Sequence, residues 1–416
     1  MNDEEEDPVL RKWMVATLAV AVLALAACGD DDNQGGEQAA SDGAATGAAL
    51  EGETIKIGAI YPVTGPFAAS GKGNRDGAQA AVEYLNAGGS ESGATFELDV
   101  RDDQGNLTQS VAIAREFGDS VTALVAGTTG GSAAAIAPIL ARTQIPLVGA
   151  ALTGIDGQAE KYPWVYGVGE TSVQRQAPTA AYAVENAGGA PIAEIHTTDA
   201  YGAAYHQSLE ETLDGEELIA KGVAPTATDV TAQLRELQRS GANVLIINAF
   251  GEPFIRIAQN LAQLGWRPKV STLLGALSPS IVEVLEQQAP EVLDTMLAGP
   301  LPTPLLTDTE GGPPSTEMGQ AWADSMKDVT GRTELSGDDL VGTYGFDAVV
   351  AIDRGLAKAG SADGTKLREA LDSTSFDGSR GRIAFTPDNH SGQQDEDLAL
   401  AQAKFACTEG ACVAAE

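Results

Sequence analysis

Thr54-Ile55-Lys56-Ile57-Gly58-Ala59-Ile60 runs directly into Tyr61-Pro62-Val63-Thr64-Gly65-Pro66, and this junction decides the fold. The first seven residues are rich in β-branched side chains and read as a buried strand, and the Pro/Gly-rich segment cannot continue it. Ala78, Ala81, Val82 and Leu85 then recur at helical spacing, and Gly88-Gly89 stops that helix. Phe96 to Val100 predicts a second strand, Ala123 to Ala126 a third and Ile145 to Val148 a fourth. The helix carrying Val111, Ala114 and Phe117 lies after the second strand, with Asn106 as its N-cap and Gln109 as the reciprocal partner. A helix over Ala133–Ala141 separates strands three and four. The β-α-β-α order implies a parallel sheet covered on both faces.

A second α/β unit follows. Helices around Ala180–Val184, Tyr201–Leu213, Val230–Arg239 and Pro253–Leu264 alternate with strands at Ile192–His196, Leu218–Val223, Asn243–Ala249 and Lys269–Leu273. Residues 300–314 hold five prolines and the pair Gly311-Gly312, and read as a break. Helices return at Glu317–Val329 and Asp338–Ala359. The tail segments Arg382–Phe385 and Leu398–Phe405 are too short for a domain and are expected to add strands to an existing sheet. The fold class is therefore α/β, and 416 residues suit two or three domains.

Composition narrows the function. Asp and Glu number 59 against 25 Lys and Arg, a formal net charge of −34, which excludes a nucleic-acid binder that must displace counterions with clustered cations. Such a charge favours a soluble monomer. Hydrophobic residues make up 43%, enough for sizeable cores.

Arg11 and Lys12 precede an uncharged run from Trp13 to Ala27. As a helix this run reaches about 22 Å, short of a bilayer core of about 30 Å, so it reads as a secretory signal rather than a span. It ends Leu25-Ala26-Ala27-Cys28-Gly29, which resembles a bacterial lipoprotein cleavage site, in which the cysteine is lipidated and becomes the first mature residue. The alternative is a signal peptide with an incidental cysteine. Residues 1–27 are thus the expected signal and 28–53 a flexible tether, since residues 29–53 hold one large apolar side chain, Leu50. The protein is expected outside the cytoplasm, anchored to the cell membrane through Cys28. There Cys407 and Cys412 read as a disulfide, the alternative being half of a zinc site that lacks a second pair of ligands.

Catalytic signatures are weak. Gly71-Lys72-Gly73-Asn74-Arg75-Asp76-Gly77 has glycines one residue too far apart for a dinucleotide loop and stands too far from the preceding strand. Asp102 and Asp103 are neighbours expected to point apart. His196, His206 and His390 are too scattered along the chain to suggest a metal site, and His206 reads as a surface helix residue. Neither cofactor nor metal is expected, and an enzyme is disfavoured.

A tethered body of two serial α/β units resembles the type I extracytoplasmic solute-binding proteins of ABC transporters, in their branched-chain amino acid binding branch. The resemblance rests on Ile55-Lys56-Ile57-Gly58 through Thr64-Gly65-Pro66, Gly77-Ala78 and Asn86-Ala87-Gly88-Gly89. It continues in Asp102-Asp103-Gln104-Gly105-Asn106, Ile145-Pro146-Leu147-Val148 and Asp199-Ala200-Tyr201-Gly202. The order of these motifs covers Thr54 to Phe405. The resemblance implies two doubly wound parallel-sheet lobes joined by a three-strand hinge, with a ligand cleft between them. Lobe 1 is expected over 54–170 plus 299–376 and lobe 2 over 171–298 plus 377–416.

The resemblance also implies the site. A ligand carboxylate would sit on the loops Thr128-Thr129-Gly130-Gly131-Ser132 and Gly149-Ala150-Ala151-Leu152-Thr153. Thr129, Gly130 and Ser132 would act there with Ala151 and Thr153, Ser132 serving as helix cap, anion contact or both. Tyr201 would line the pocket from the second lobe. Phe250 would line it too, unless it packs in the core. Members that bind α-amino acids place an acid after the strand near Lys269–Leu273 to pair with the ammonium, and here that position is Leu274. Either Glu252 or Glu170 substitutes, or the ligand is not an α-amino acid. The expected function is capture of a branched-chain amino acid or related carboxylate or amide by lobe closure and delivery to an ABC permease driven by a separate ATPase. The alternative is an extracytoplasmic sensor of the same fold that signals to a partner receptor.

Overall fold

The computed structural model describes residues 50–415 except 66, 127–129, 151–154, 156, 309–310, 395–397 and 406. The first unit runs β1 (Thr54–Tyr61), α1 (Ala68–Tyr84), β2 (Thr95–Asp102), α2 (Leu107–Phe117), β3 (Ala123–Ala126), α3 (Gly130–Thr143), β4 (Leu147–Gly149) and β5 (Val165–Gly167). Its five strands form a parallel sheet in the order β2-β1-β3-β4-β5. Ile60, Leu124 and Leu147 face α2 and α3 through Ile113, Phe117, Ile136 and Leu140. Ile57, Val125 and Val148 lie in the core of the opposite face.

The second unit runs α4 (Ser172–Ala187), β6 (Ile192–Thr197), α5 (Ala200–Leu213), β7 (Leu218–Val223), α6 (Thr231–Arg239), β8 (Val244–Asn248), α7 (Glu252–Leu264) and β9 (Lys269–Leu273). It continues through α8 (Pro279–Gln288), α9 (Pro290–Leu293) and β10 (Met296–Pro302). The short β11 (Leu306–Thr307) then leads to α10 (Glu317–Thr330), α11 (Gly342–Ala359) and α12 (Gly364–Leu371). Last come β12 (Ser375–Gly378), β13 (Gly381–Ala384), β14 (Leu398–Gln402) and β15 (Cys412–Val413). The second sheet is ordered β14-β10-β9-β8-β6-β7, parallel but for β14, which pairs antiparallel with β10. Both sheets thus carry helices between parallel strands, as the junction at Thr54–Pro66 required.

Four sequence expectations change. The break placed at 300–314 begins inside β10, whose Pro300 falls where the β14 register shifts between Ala298 and Leu301. A proline costs no ladder hydrogen bond at such an irregularity. Arg382–Phe385 does not join a main sheet: β13 pairs with β12 in a two-stranded hairpin. Asn106 caps α2 through Thr108 and Gln109 amides, but the Gln109 side chain donates to the Asp102 carbonyl instead of back to the cap. Leu50, assigned to the tether, is buried in the main core, and its amide donates to the Ser92 carbonyl.

The glycines rejected as a phosphate loop lie inside α1, where they serve packing. A Cβ on Gly77 would stand 1.8 Å from the Gly342 carbonyl oxygen, and one on Gly345 would stand 2.0 Å from that of Asn74. Helices α1 and α11 therefore meet backbone to backbone, a contact that side chains would hold apart. Asp102 and Asp103 do diverge: Asp102 accepts from Thr64, while buried Asp103 accepts from Ser110.

Candidate functional site

In open parallel sheets the space beyond the carboxyl ends of the strands is where ligands gather. The expected site residues fall there. Gly130 opens α3 after β3, with Ser132 in the first turn. Ser132 is buried, and its hydroxyl oxygen has no hydrogen-bond partner among the described residues. Thr129, Ala151 and Thr153 lie outside the described residues. Tyr201 stands in the first turn of α5, after β6, and Phe250 follows β8. Leu274 opens a 3-10 turn, Leu274–Leu277, directly after β9.

The structure brings the second-unit members together. The Tyr201 and Phe250 rings lie 6.0 Å apart, and Tyr201 packs edge-on against Tyr205 at 4.8 Å. Phe250 is 53% exposed, so the core-packing alternative is excluded. Its ring covers Gly275, where a Cβ would come within 2.8 Å. The result is an aromatic wall across the ends of three neighbouring strands.

Behind this wall lies an ion cluster that the sequence did not disclose. Glu170 is buried, and its carboxylate accepts from Arg380, from Arg175 at 3.2 Å and from the Tyr344 hydroxyl at 2.8 Å. Burial alone would raise the Glu170 carboxyl, but the Arg380 and Arg175 guanidiniums outweigh it and hold the group at about 2. Arg380 is fully buried and lies 3.9 Å from the Tyr344 ring centre. Arg175 reaches Tyr344 at 2.9 Å and Tyr205 at 3.2 Å, yet its Nε is buried without a hydrogen-bond partner among the described residues. Burial pushes Tyr344 up to about 12 and Tyr201 well above the ordinary range, so both hydroxyls keep their protons.

Glu170 therefore cannot serve as a free partner for a ligand ammonium. Glu252 is largely exposed and pairs with Arg256 at 2.5 Å. Asp199 caps α5 through the Gly202 amide and accepts from Thr197. One signal for Arg175 was legible: it sits in the first turn of α4, where the helix dipole disfavours a cation. A residue placed against that field must be held by something else, here Glu170.

The histidines also differ from expectation. Glu194, His196 and His206, spread over β6 and α5, place their ligand atoms within 4.8 Å of one another. His206 is not a free surface residue, since its Nδ1 lies 2.6 Å from the Glu194 carboxylate. Distance along the chain hid a cluster that the sheet-to-helix packing assembles.

The periplasmic binding protein family profile matches residues 54–410. The chain belongs to that family. Its members are solute-binding proteins of the extracytoplasmic space, not enzymes. The Leu/Ile/Val-binding protein homolog 3 of Brucella melitensis is 29% identical over 47% of this chain, a match spanning 54% of that protein. A leucine-, isoleucine-, valine-, threonine- and alanine-binding protein of Pseudomonas aeruginosa is 24% identical over 81% of this chain and 87% of its own length. Among solved structures, a Streptococcus pneumoniae branched-chain amino acid transporter substrate-binding protein in complex with isoleucine superposes with a TM-score of 0.66. It is 18% identical over 86% of this chain and 99% of that one. A Rhodopseudomonas palustris solute-binding protein in complex with 4-hydroxybenzoate gives 0.64, at 20% identity over 84% and 93%. These likenesses establish the type I periplasmic binding protein fold. No described helix is long and apolar enough to cross a membrane.

Proposed function

We propose that this chain is the lipid-anchored substrate-binding component of an ABC transporter, and that its ligand is a small carboxylate or amide lacking an α-ammonium group. Two lobes, one built on each main sheet, close on the solute, and a separate permease and ATPase carry it inward. Relatives named for branched-chain amino acids support the general class, and the 4-hydroxybenzoate complex shows that the fold also takes an acid without an amine.

The observation that carries the ligand reading is the charge balance at the cleft wall. Glu170 is shared by two arginines, and Leu274 stands where an acid would be needed. An ammonium would lack an anionic partner, at a cost of several kcal/mol if buried. The unpartnered donors favour oxygen: Arg175 Nε and the Ser132 hydroxyl both suit a carboxylate or a carbonyl.

Calorimetry with leucine, its 2-keto analogue and 4-hydroxybenzoate tests the reading. At least one acid should bind as tightly as leucine, and Arg175→Gln should weaken that acid. Leucine binding about a hundredfold tighter than both, or roughly 2.7 kcal/mol, would refute the ligand class. Anchoring has its own test: Cys28→Ser should move the protein from the membrane to the soluble fraction.

A further inference from the structure

We propose that Glu194, His196 and His206 form a binding site for one borderline first-row divalent cation of the zinc type. Glu194 is fully buried on β6, two residues from His196 on the same strand face, and α5 lays His206 across both. Glu194 Oε2 lies 2.6 Å from His206 Nδ1 and 3.6 Å from His196 Nδ1. The second distance is too long for a hydrogen bond. His196 Nδ1 is buried and has no hydrogen-bond partner among the described residues. The carboxylate thus has one imidazole within hydrogen-bond distance and a second imidazole nitrogen 3.6 Å away that has no partner among the described residues.

An ion at the common vertex resolves this. It would replace the proton held between His206 and Glu194, neutralise the buried carboxylate and accept the idle lone pair of His196. Two imidazole nitrogens and one carboxylate oxygen, with a fourth position left for water, suit zinc and its neighbours better than calcium or magnesium, which prefer all-oxygen shells.

The surroundings supply the outer support such ligands need. Asn248 donates to Glu194 Oε1 at 2.8 Å, and Gln176 donates to Asn248 at 3.1 Å, which fixes the carboxylate. Glu210 lies 3.7 Å from His206 Nε2, on the side away from the vertex. The two rings stack 4.2 Å apart, 14° from parallel, so loading must tilt them until each plane contains the ion. Space for the tilt exists: His206 is a quarter exposed, and Gly222, beside His196 Nε2, presents no side chain.

Zinc chloride is titrated into full-length protein stripped with a chelator, by calorimetry and equilibrium dialysis. One site per chain is expected. His196→Asn and His206→Asn should each weaken it at least about a hundredfold, because even outer-shell changes cost about 10–100-fold. Glu210→Gln, on the surface, should cost about tenfold. Magnesium in excess should not compete. Wild-type protein loaded with cobalt(II) gives a readout independent of the variants' folding: intense visible bands of a four- or five-coordinate ion without sulfur charge transfer. Zinc held equally well by the His196→Asn/His206→Asn double variant would overturn the proposal. So would weak multiple sites spread over the acidic surface, an aquated octahedral cobalt spectrum, or one showing thiolate ligation.

Discussion

Replacing Glu170 with Gln removes the anion that two buried arginines share while keeping the side chain's shape. A glutamate carboxyl titrates near 4.5 when exposed and near 2 here. At about 1.36 kcal/mol for each tenfold change in proton affinity, the fold favours the ionised form by roughly 3 kcal/mol. That agrees with the roughly 3–5 kcal/mol lost when one partner of a buried pair is deleted, because Arg380 stays fully buried and loses its counter-charge. The sign fixes the pH window. A depressed carboxyl stabilises the fold above its unfolded value and loses that contribution as pH falls through the folded one. The Glu170 contribution is therefore complete at pH 7 and falls to roughly 1.4 kcal/mol by pH 3. Urea unfolding of both proteins at pH 7 and pH 3 measures it. We expect Glu170→Gln to be about 3 kcal/mol less stable at pH 7, with the gap narrowing toward pH 3. A gap below about 1 kcal/mol at pH 7, or one that widens on acidification, would refute the charge argument.

Three further outcomes follow from the fold. Gly77→Ala gains about 1 kcal/mol of helix propensity but drives a Cβ into the Gly342 carbonyl, so the stability measured by urea unfolding should fall by about 2 kcal/mol net. Asp347, buried and pushed up to about 6 by desolvation despite two bonds from Ser379, destabilises the fold as pH rises through 4–6, and Asp347→Asn should flatten that slope in the same assay. Cys407 and Cys412, with Cα atoms 4.3 Å apart, should both resist alkylation in folded, unreduced protein, and two free thiols by mass spectrometry would count against a bridge.

The sequence was most legible where local pattern and burial agree. Ile55 and Ile57 are buried with Gly58 on β1 as the apolar run required, and the helical segment that begins with α1 runs through a π-helical turn to Gly89, where Gly88-Gly89 were expected to stop it. It was least legible where a pattern carried a second meaning. Met296–Pro302 is a central strand bearing two prolines, which in isolation argue for a break. The strand survives because its pairing with β9 ends at Gly299 and its pairing with β14 shifts around Pro300. Nothing local announces either neighbour: β14 arrives about a hundred residues later.

The site shows the same division, and it bears on the ligand. Tyr201 and Phe250 were named from the family resemblance, whose motifs lie in order along the chain. Arg175, Tyr344 and Arg380 were not, because the cluster joins the start of α4, the first turn of α11 and the β12–β13 turn, which meet only in three dimensions. Without Arg175, the absence of an acid at Leu274 left two readings equal: a substitute acid, or a ligand without an amine. The cluster supports the second, the reading proposed above. An acid already held at about 2 by two guanidiniums has no field left to offer an ammonium, and the same ammonium would approach Arg175 as a like charge. Restoring amino-acid binding would therefore take two changes at once, an acid introduced at Leu274 and Arg175 neutralised. Leu274→Glu alone should leave leucine binding weak, because the like charge of Arg175 would still oppose the ligand ammonium. Leu274→Glu/Arg175→Gln should bind leucine more tightly than either single variant. If the single Leu274→Glu change sufficed, the proposed role of Arg175 in disfavouring an amine would be refuted.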